Sequence, residues 1–378
     1  MRFFATTITG LEDLAAEESY EIAGVKAEPD VGKVFFEADL RQAILLNYSS
    51  RMLHRIFLLL VRENVETLND IYRAAKNIDY CSLIDRSQSF AVRAERHAKH
   101  YPFTSLDIAA TVGRAVIDSY REAAGVRIRV NLDEPDVELY SLLRDSELLI
   151  GLNLTGSSLH RRFYRVFHHR ASLHSTIAAG MLRIAGWRRE QRLLDPMCGS
   201  GTIPIEAALN ARRIPVGLRR GGIAAEKLSF IDSGLLSQVA EELEKRAEGN
   251  YRSPITGSDA SRKSIEGARR NAEKAGVSDT LTLLVADALR MREWLREEPD
   301  HVLVNPPYGI RMGIRDIAAF YRRFLESLRE AAPAAHLTAI VSKPTLFTQI
   351  LRETGYTPIQ RREIMYGRLK AAIIRAEP

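Results

Sequence analysis

From residue 171 to its end, the chain alternates short apolar runs with helical stretches, and this alternation limits its fold more than any other feature. Five apolar runs, separated by helical stretches, lie at residues 193–196, 255–259, 281–287, 301–305 and 337–342. Two further runs, at 357–365 and 370–375, are separated only by a short turn. Strands and helices that alternate over this length predict a doubly wound α/β domain with a parallel sheet and right-handed crossovers.

The first half of the chain has a different pattern, which predicts two smaller units. Residues 1–50 alternate strand and helix within a short length, as a small α+β unit does. The following residues contain an alternating strand at 90–96, a long helix at 106–124 and strands at 126–131, 137–144 and 147–153. We therefore expect domains at 1–50, 51–156 and 171–378, with a linker at 157–170.

Basic and aromatic residues interleave in the predicted linker, which reads LHRRFYRVFHHR from residue 159. Such a mixture can contact a nucleic-acid backbone through its cations and stack bases on its rings. Its three histidines, His160, His168 and His169, have no cysteine or carboxylate nearby at the spacing of metal ligands, so no metal site is expected.

Composition limits the class of protein only loosely. The 378 residues carry a formal charge of +6 with a pI near 9.3, which favours a polyanion over a membrane as partner, although solubility explains the charge equally well. The two cysteines, Cys81 and Cys198, are far apart, which argues against a disulfide framework and favours a reducing compartment. Acidic residues follow the first apolar residues too soon for a signal peptide, and no apolar run could span a bilayer. We expect a cytoplasmic protein.

A glycine-rich loop follows the first strand of the predicted parallel sheet. It reads Asp195-Pro196-Met197-Cys198-Gly199-Ser200-Gly201-Thr202 and leads into a helix. The glycines allow a ligand to approach the backbone, and the N–H groups of the helix start can bind anionic or polar groups. On these residues alone the loop suits NAD, FAD or a phosphate, but the absence of GKS or GKT excludes a P-loop.

Polar residues also follow the next three strands of the predicted sheet. The second strand ends in Asp259, placed where a carboxylate binds both hydroxyls of a ribose, and the third ends in Asp287-Ala288, at the level of an adenine. The fourth ends in Asn305. Because parallel strands end at the same edge of a sheet, all four groups are expected at one ligand-binding edge.

The residues after the fourth strand, Asn305-Pro306-Pro307-Tyr308, suit a planar amine. Proline cannot donate a hydrogen bond, so the strand ends here and its carbonyl groups are available as acceptors. The Asn305 carboxamide adds another acceptor, and the Tyr308 ring offers a face for a flat base. Taken alone, the two prolines would more often mark a rigid turn; the upstream loop favours a binding role.

These motifs, in this order, resemble the S-adenosylmethionine-dependent amino-methyltransferases with a class I, Rossmann-like domain and an antiparallel final strand. The resemblance implies that S-adenosyl-L-methionine is the cofactor. It assigns the ribose to Asp259, the adenine to Asp287 with Ala288, and the methionine part to the loop residues Met197, Cys198, Gly199, Ser200, Gly201 and Thr202. Asp195 and Ala260 are also expected to contact the cofactor. Asn305 would contact both the cofactor and the target amine, Pro306 and Pro307 would form the catalytic turn, and Tyr308 would stack on the target ring.

The first half narrows the resemblance further. A ferredoxin-like unit followed by residues 90–155 is similar to a THUMP domain, an RNA-binding module. Together with Gly217-Leu218-Arg219-Arg220 and Glu226-Lys227, the chain resembles the archaeal and bacterial THUMP tRNA guanine-N2-methyltransferases, which modify the sixth nucleotide in the acceptor stem. The resemblance implies a monomer that binds tRNA through its THUMP domain and basic linker, without a membrane.

Three other functions fit part of the sequence. The same chemistry serves ribosomal RNA guanine, or adenine N6 in DNA or RNA, since the turn accepts any planar amine. A non-catalytic RNA-binding protein would keep the fold as a scaffold, but both ligand motifs are intact. A nicotinamide oxidoreductase has no role for the turn at residues 305–308.

Overall fold

The computed structural model describes residues 1–97, 101–168, 172–307, 316–367 and 369–378. The chain divides into two compact units, each assembled from separate segments. The first consists of Met1–Thr6, Ala16–Leu159 and Gly217–Glu242, and the second of Thr7–Ala15, His160–Val216 and Leu243–Pro378. The predicted domain boundaries at 50, 156 and 170 assume uninterrupted segments and remain a proposal.

An eight-stranded sheet forms the first unit among the described residues. Its strands are β1 (Arg2–Thr6), β2 (Ala27–Asp30), β3 (Lys33–Glu37), β4 (Arg55–Asn64), β5 (Ser89–Arg96), β6 (Arg129–Val130), β7 (Val137–Arg144) and β8 (Glu147–Asn153), in the order β2-β3-β1-β4-β8-β7-β5-β6. Because β4 pairs with β1 on one side and with β8 on the other, one sheet passes through both predicted front domains. The predicted strand at 126–131 is reduced to β6, and β2 was not predicted.

The helices of the first half have strong start and stop signals. They are α1 (Glu12–Ala23), α2 (Leu40–Ser49), α3 (Leu68–Lys76) and α4 (Ser105–Ala124). A capping box closes the start of α4, where the Thr104 side chain accepts from the Asp107 N–H, and Gly125 ends the helix at φ 69°. Stacked aromatic rings, including Phe4 on Phe57 at 4.8 Å, fill the core beneath β1 and β4.

A seven-stranded sheet forms the second unit. Its strands are β9 (Leu193–Asp195), β10 (Ile255–Asp259), β11 (Leu281–Val285), β12 (His301–Val304), β13 (His336–Val341), β14 (Thr357–Tyr366) and β15 (Leu369–Glu377), in the order β11-β10-β9-β12-β13-β15-β14. The strands β9 to β13 run parallel, and β15 is antiparallel to β13 and to β14. The predicted doubly wound fold with an antiparallel final strand is confirmed.

Helices alternate with these strands: α5 (Ser175–Ala185), α6 (Thr202–Ala211), α7 (Ser233–Arg246), α8 (Arg262–Ala275), α9 (Met291–Trp294), α10 (Ile317–Ala331) and α11 (Pro344–Glu353). The central strand β12 is buried along its whole length, and α10 packs Phe324 and Leu328 into the core beside it. Within the described residues, no helix combines the length and the apolar character that crossing a bilayer requires.

The segment predicted as a basic linker is partly core. Arg162 and Tyr164 are buried, and both bind Glu206 of α6: Arg162 Nε donates to Oε1 at 2.9 Å, and the Tyr164 hydroxyl donates to the same oxygen at 2.9 Å. These two side chains are therefore not available to contact RNA, although they lie in the segment predicted to bind it. A carboxylate 44 residues away neutralises the cation, and no local pattern could reveal that partner. Arg161 and His168 are exposed, while His169 and Arg170 lie outside the described residues.

Candidate functional site

The carboxyl edge of the seven-stranded sheet brings the predicted site residues together. Asp195 is the last residue of β9 and Asp259 the last of β10, while Asn305 directly follows β12. Asp287 lies two residues beyond the end of β11. Since these four strands are parallel neighbours, their following loops share one edge, as the sequence predicted.

The glycine-rich loop is tied to the neighbouring strand β10 by its backbone. The Cys198 N–H donates to the Ser258 carbonyl at 2.8 Å, and the Gly199 N–H donates to Asp259 Oδ2 at 3.0 Å. Within the loop, the Gly201 N–H donates to the Cys198 carbonyl at 2.8 Å. These bonds fix the path of the loop at the end of β10.

Two glycines give the loop its shape. Gly199 and Gly201 adopt φ values of 54° and 80°, in the left-handed region that a residue with a Cβ atom rarely enters. A Cβ atom on Gly201 would also lie 3.1 Å from the Cβ atom of Ala268 in α8. Gly201 is the N-cap of α6 and has no side chain to bind the first-turn N–H groups, which suits a polar ligand at this helix start.

Asp195 is a buried carboxyl group in this loop. Its Oδ1 atom accepts from the Met197 N–H at 3.2 Å. Burial raises the pKa of Asp195 well above its ordinary value, and the nearby Asp259 carboxylate raises it further. Burial likewise raises the pKa of the Cys198 thiol, which is therefore neutral and unsuited to act as a nucleophile. A buried acid with a raised pKa at the carboxyl edge of the sheet makes Asp195 a candidate functional residue.

The carboxylate of Asp259 is oriented from two sides. Oδ2 accepts from the Gly199 N–H, and Oδ1 accepts from the Ser261 N–H at 2.9 Å. Each carboxylate oxygen can accept a further bond, so the group is held in place and can still bind two hydroxyls. The following residue, Ala260, is exposed.

Asp287 and Ala288 begin a short helical turn after β11. The Asp287 side chain caps this turn by accepting from the Leu289 N–H at 2.9 Å. The backbone carbonyl of Asp287 accepts from the Trp294 indole N–H at 2.9 Å. Asp287 is exposed and Ala288 is buried. The sequence did not single out Trp294, which fixes the backbone of this turn from α9.

The proline turn follows β12 directly. Asn305 and Pro307 are half-buried and Pro306 is buried. The Tyr321 hydroxyl of α10 donates to the Pro307 carbonyl at 3.2 Å, and burial raises the pKa of Tyr321 to about 12, so the hydroxyl is a neutral donor at neutral pH. Sequence reasoning missed Tyr321, whose position on the buried face of α10 is its only local signal. Tyr308 lies outside the described residues.

The chain matches three protein families along its length. Residues 2–57 match the RlmL ferredoxin-like domain, residues 65–153 the THUMP domain, and residues 162–372 the RMKL-like methyltransferase domain. The predicted classes of all three units are thereby confirmed.

Two curated relatives cover nearly the whole chain. A tRNA (guanine(6)-N2)-methyltransferase of Archaeoglobus fulgidus is 40% identical over 99% of this chain and 91% of its own length. The enzyme of the same name from Methanocaldococcus jannaschii is 36% identical over 99% of both chains. A ribosomal RNA large subunit methyltransferase K/L of Chromohalobacter salexigens is 32% identical over 89% of this chain and 47% of its own length.

Solved structures share the whole architecture. TrmN from Thermus thermophilus superposes with a TM-score of 0.74 at 27% identity, over 100% of this chain and 99% of its own. A possible methylase from Clostridium difficile 630 has a TM-score of 0.89 at 24% identity, over 100% and 98%. SMU.472, a putative methyltransferase complexed with SAH, has a TM-score of 0.88 at 21% identity, over 99% and 97%. The last two likenesses bear on the fold alone.

The prediction of a methyltransferase is confirmed by the matched family and by the relatives that span the chain. Half or more of the chain matches one methyltransferase domain, and the THUMP domain precedes it, as in the resemblance noted from the motifs. The chain belongs to the THUMP-containing RMKL-like methyltransferases, the family of the tRNA (guanine(6)-N2)-methyltransferases.

Proposed function

We propose that this chain transfers the methyl group of S-adenosylmethionine to the exocyclic N2 of a guanosine in tRNA, at the sixth nucleotide. The main support is the pair of archaeal relatives, which carry this activity in their names and align with 99% of the chain. The glycine loop, Asp259 and the proline turn lie at one sheet edge, as this reaction requires.

The residues of the carboxyl edge fit the cofactor. When bound, the cofactor supplies a methyl group on a positively charged sulfonium. The glycine loop offers a backbone surface that a side chain would obstruct, and Asp259 offers two oriented oxygens for ribose hydroxyls. The Asp259 carboxylate also lies at the edge of the sheet where this cationic cofactor would bind.

The proline turn would hold the target nitrogen. The Asn305 side chain and the Pro306 carbonyl accept from the guanine NH2 group, which favours a tetrahedral nitrogen and stabilises the positive charge that develops during attack. The target nitrogen would take the methyl group as the bond between that group and the sulfur breaks, and would then lose a proton to solvent. S-adenosylhomocysteine is the second product, and no strong base is needed.

The base must leave its helical stack to reach this turn. Extrusion costs a few kcal/mol, and stacking on Tyr308 would offset part of that cost. The role of Tyr308 rests on the sequence motif.

We assign RNA binding to the first half of the chain, including the THUMP segment at residues 65–153. An A-form helix hides its base edges, so the contacts are expected to follow shape and backbone. The affinity for tRNA should then fall steeply between about 50 and 200 mM salt, while the affinity for the cofactor changes little. A tRNA affinity that does not respond to salt would contradict backbone recognition.

The full chain is the right material for this measurement. A deletion of residues 1–155 would remove Thr7–Ala15, which group with the second unit. There the Met365 N–H donates to the Thr9 carbonyl at 3.0 Å, and Arg362 binds the Asp13 carboxylate at 2.8 Å. Such a deletion would damage the methyltransferase unit itself.

The decisive experiment is incubation of the purified protein with bulk tRNA and a cofactor labelled on its methyl group. We expect label in N2-methylguanosine after digestion, and mapping to nucleotide six of a tRNA. The Asn305→Ala variant serves as the inactive control. Label in a different nucleoside, or none, would contradict the proposal.

A second candidate substrate is guanine in ribosomal RNA. The relative from Chromohalobacter salexigens favours it, although this chain spans only about half of that protein. A competition between tRNA and ribosomal RNA in the same assay separates the two, since the preferred substrate takes up the label first.

We also propose that the protein is a cytoplasmic monomer, since its substrate class is found there. Light scattering of the purified chain, with and without tRNA, tests the oligomeric state. A stable dimer would overturn this part of the proposal.

A further inference from the structure

The side chain of Asn271 joins three parts of the second unit. It is buried in α8, and its Oδ1 atom accepts from the backbone N–H groups of Val166 and Phe167 at 3.0 and 2.8 Å. Its Nδ2 atom donates to the carbonyl oxygens of Phe167 and Ser200 at 3.1 and 3.0 Å. An amide has two donors and an acceptor with two lone pairs, so all of its bonding capacity is used.

Other contacts hold the same three parts together. The ring of Phe167 lies against Gly267 of α8, where a Cβ atom would be only 2.1 Å from a ring carbon. The hydroxyls of Ser172 and Ser200 are 3.0 Å apart. The backbone at 166–167, the glycine loop and α8 therefore form one packed group.

We infer that Asn271 is a positioning residue for the cofactor loop and acts through the carbonyl of Ser200. This inference rests on the proposed role of that loop. The loop contains two left-handed glycines, which leave its backbone permissive in the absence of other restraints. Asp259 restrains it from the β10 side at Gly199, and Asn271 restrains it from the α8 side at Ser200.

Loss of the amide should weaken cofactor binding more than it affects the chemical step. Without Nδ2 the buried Ser200 carbonyl lacks this donor, and the loop shifts to find another. The ligand must then reorder the loop when it binds. The methyl group and the target nitrogen meet at the proline turn, which Asn271 does not contact through any described bond.

The test is Asn271→Ala in the full chain, measured by calorimetric titration with S-adenosylhomocysteine and by steady-state kinetics. We expect the Kd and the KM for the cofactor to rise about tenfold, the effect of losing one or two net hydrogen bonds. We expect kcat at saturating cofactor to stay within about threefold of the wild type. A folded variant with wild-type Kd and KM would overturn the inference.

Asn271→Asp separates the two ends of the side chain. It keeps acceptors for Val166 and Phe167 but cannot donate to Ser200 when ionised. Cofactor affinity should therefore fall as in the alanine variant, whereas a wild-type affinity would show that the bond to Ser200 is irrelevant. If the alanine variant is insoluble, Asn271→Ser takes its place, with a smaller rise in Kd expected and an unchanged Kd counting against the inference.

Arg212→Met is the matched control for a general loss of packing. Arg212 is buried and donates to the carbonyls of Gly276 and Tyr251 at 2.8 and 3.0 Å, just beyond the C-terminal end of α8, and makes no described bond to the loop. It should lower thermal stability without changing the Kd for the cofactor. A rise in Kd equal to that of the Asn271 variants would mean that any loosening of α8 suffices, and would overturn the positioning role.

The wild type separates this inference from the proposed function. If the wild-type chain has no affinity for S-adenosylhomocysteine, the proposed function fails. If it binds and the Asn271 variants bind equally well, only the inference fails.

Discussion

The two edges of the seven-stranded sheet treat buried polar groups in opposite ways. At the carboxyl edge, backbone N–H groups hold the carboxyl groups of Asp195 and Asp259 in fixed orientations. At the amino edge, the rings of His301 and His336 stack with centroids 5.5 Å apart. Their Nδ1 atoms are buried without a hydrogen-bond partner among the described residues. The polar side chains at the carboxyl edge are therefore held by hydrogen bonds, whereas the imidazole Nδ1 atoms at the amino edge are buried without them.

This difference indicates which edge binds ligands. A group held by backbone donors keeps its direction and can present remaining acceptors to a ligand. A buried imidazole without a partner costs stability and offers nothing to a substrate. Variants at the carboxyl edge should therefore change activity with little change in stability, and variants at the amino edge should do the reverse.

The largest effect is expected at the proline turn. Asn305→Ala removes an acceptor that stabilises the developing charge, so kcat should fall by about 100- to 1,000-fold. Calorimetry should show a nearly unchanged affinity for S-adenosylhomocysteine. A wild-type rate of tRNA methylation in this variant would show that Asn305 is not catalytic, and the carboxyl edge would lose its assignment as the active edge of the sheet.

The buried His301 at the amino edge should make the protein less stable in acid. Burial, together with the neighbouring His336, lowers the pKa of His301 to about 4, while Asp300 opposes the shift. The unfolded chain, with an ordinary pKa of about 6.5, binds the proton more readily. The titration of His301 therefore leaves the free energy of unfolding unchanged above about pH 6.5. As the pH falls towards 4, it lowers the free energy of unfolding by up to about 3 kcal/mol.

Chemical unfolding of the wild type and of His301→Phe between pH 7 and pH 4 measures this effect. The variant should lose part of the pH dependence and keep its methyltransferase activity at neutral pH. His168→Gln, at an exposed histidine, is the control and should leave the pH dependence unchanged. A wild-type pH profile in His301→Phe would contradict the assignment.

Asp259 should affect cofactor binding specifically. Asp259→Ala removes the acceptor for the Gly199 and Ser261 N–H groups as well as the proposed ribose contact, so the Kd for S-adenosylhomocysteine should rise about 10- to 30-fold. Asp259→Asn keeps one acceptor and should have an intermediate Kd. An unchanged Kd in both variants would show that Asp259 does not contribute to cofactor binding.

The smallest effect is expected at Tyr321. Tyr321→Phe deletes one hydroxyl and its bond to the Pro307 carbonyl while the ring keeps its edge-on contact with Phe347. The value of kcat should fall about five- to tenfold, because the turn loses one net hydrogen bond, with KM for the cofactor unchanged. A change in thermal stability without a change in kcat would show that Tyr321 only stabilises the hydrophobic core and does not position the proline turn.

Local patterns predicted most strands because most strands of the second unit are short apolar runs followed within two residues by a polar residue, glycine or proline. Strands β7, β8 and β10 were predicted with their observed bounds. Strand β2 was missed because Ala27–Asp30 is half-exposed, contains a proline and becomes a strand only by pairing with β3. The run at 126–131 was predicted too long, since only Arg129–Val130 finds a partner, in β5.

The amino-acid sequence by itself determined the order of strands and helices in the second unit and the polar residue at the end of each site strand. These features depend on neighbours in the chain: an apolar run, a glycine turn, a proline that cannot donate. Only the tertiary structure decided that Arg162 and Tyr164 are buried on Glu206, and that Asn271 bonds to groups 71 and 104 residues away. A buried polar side chain takes whichever partner the fold brings within hydrogen-bonding distance, and that choice leaves no local signal in the sequence.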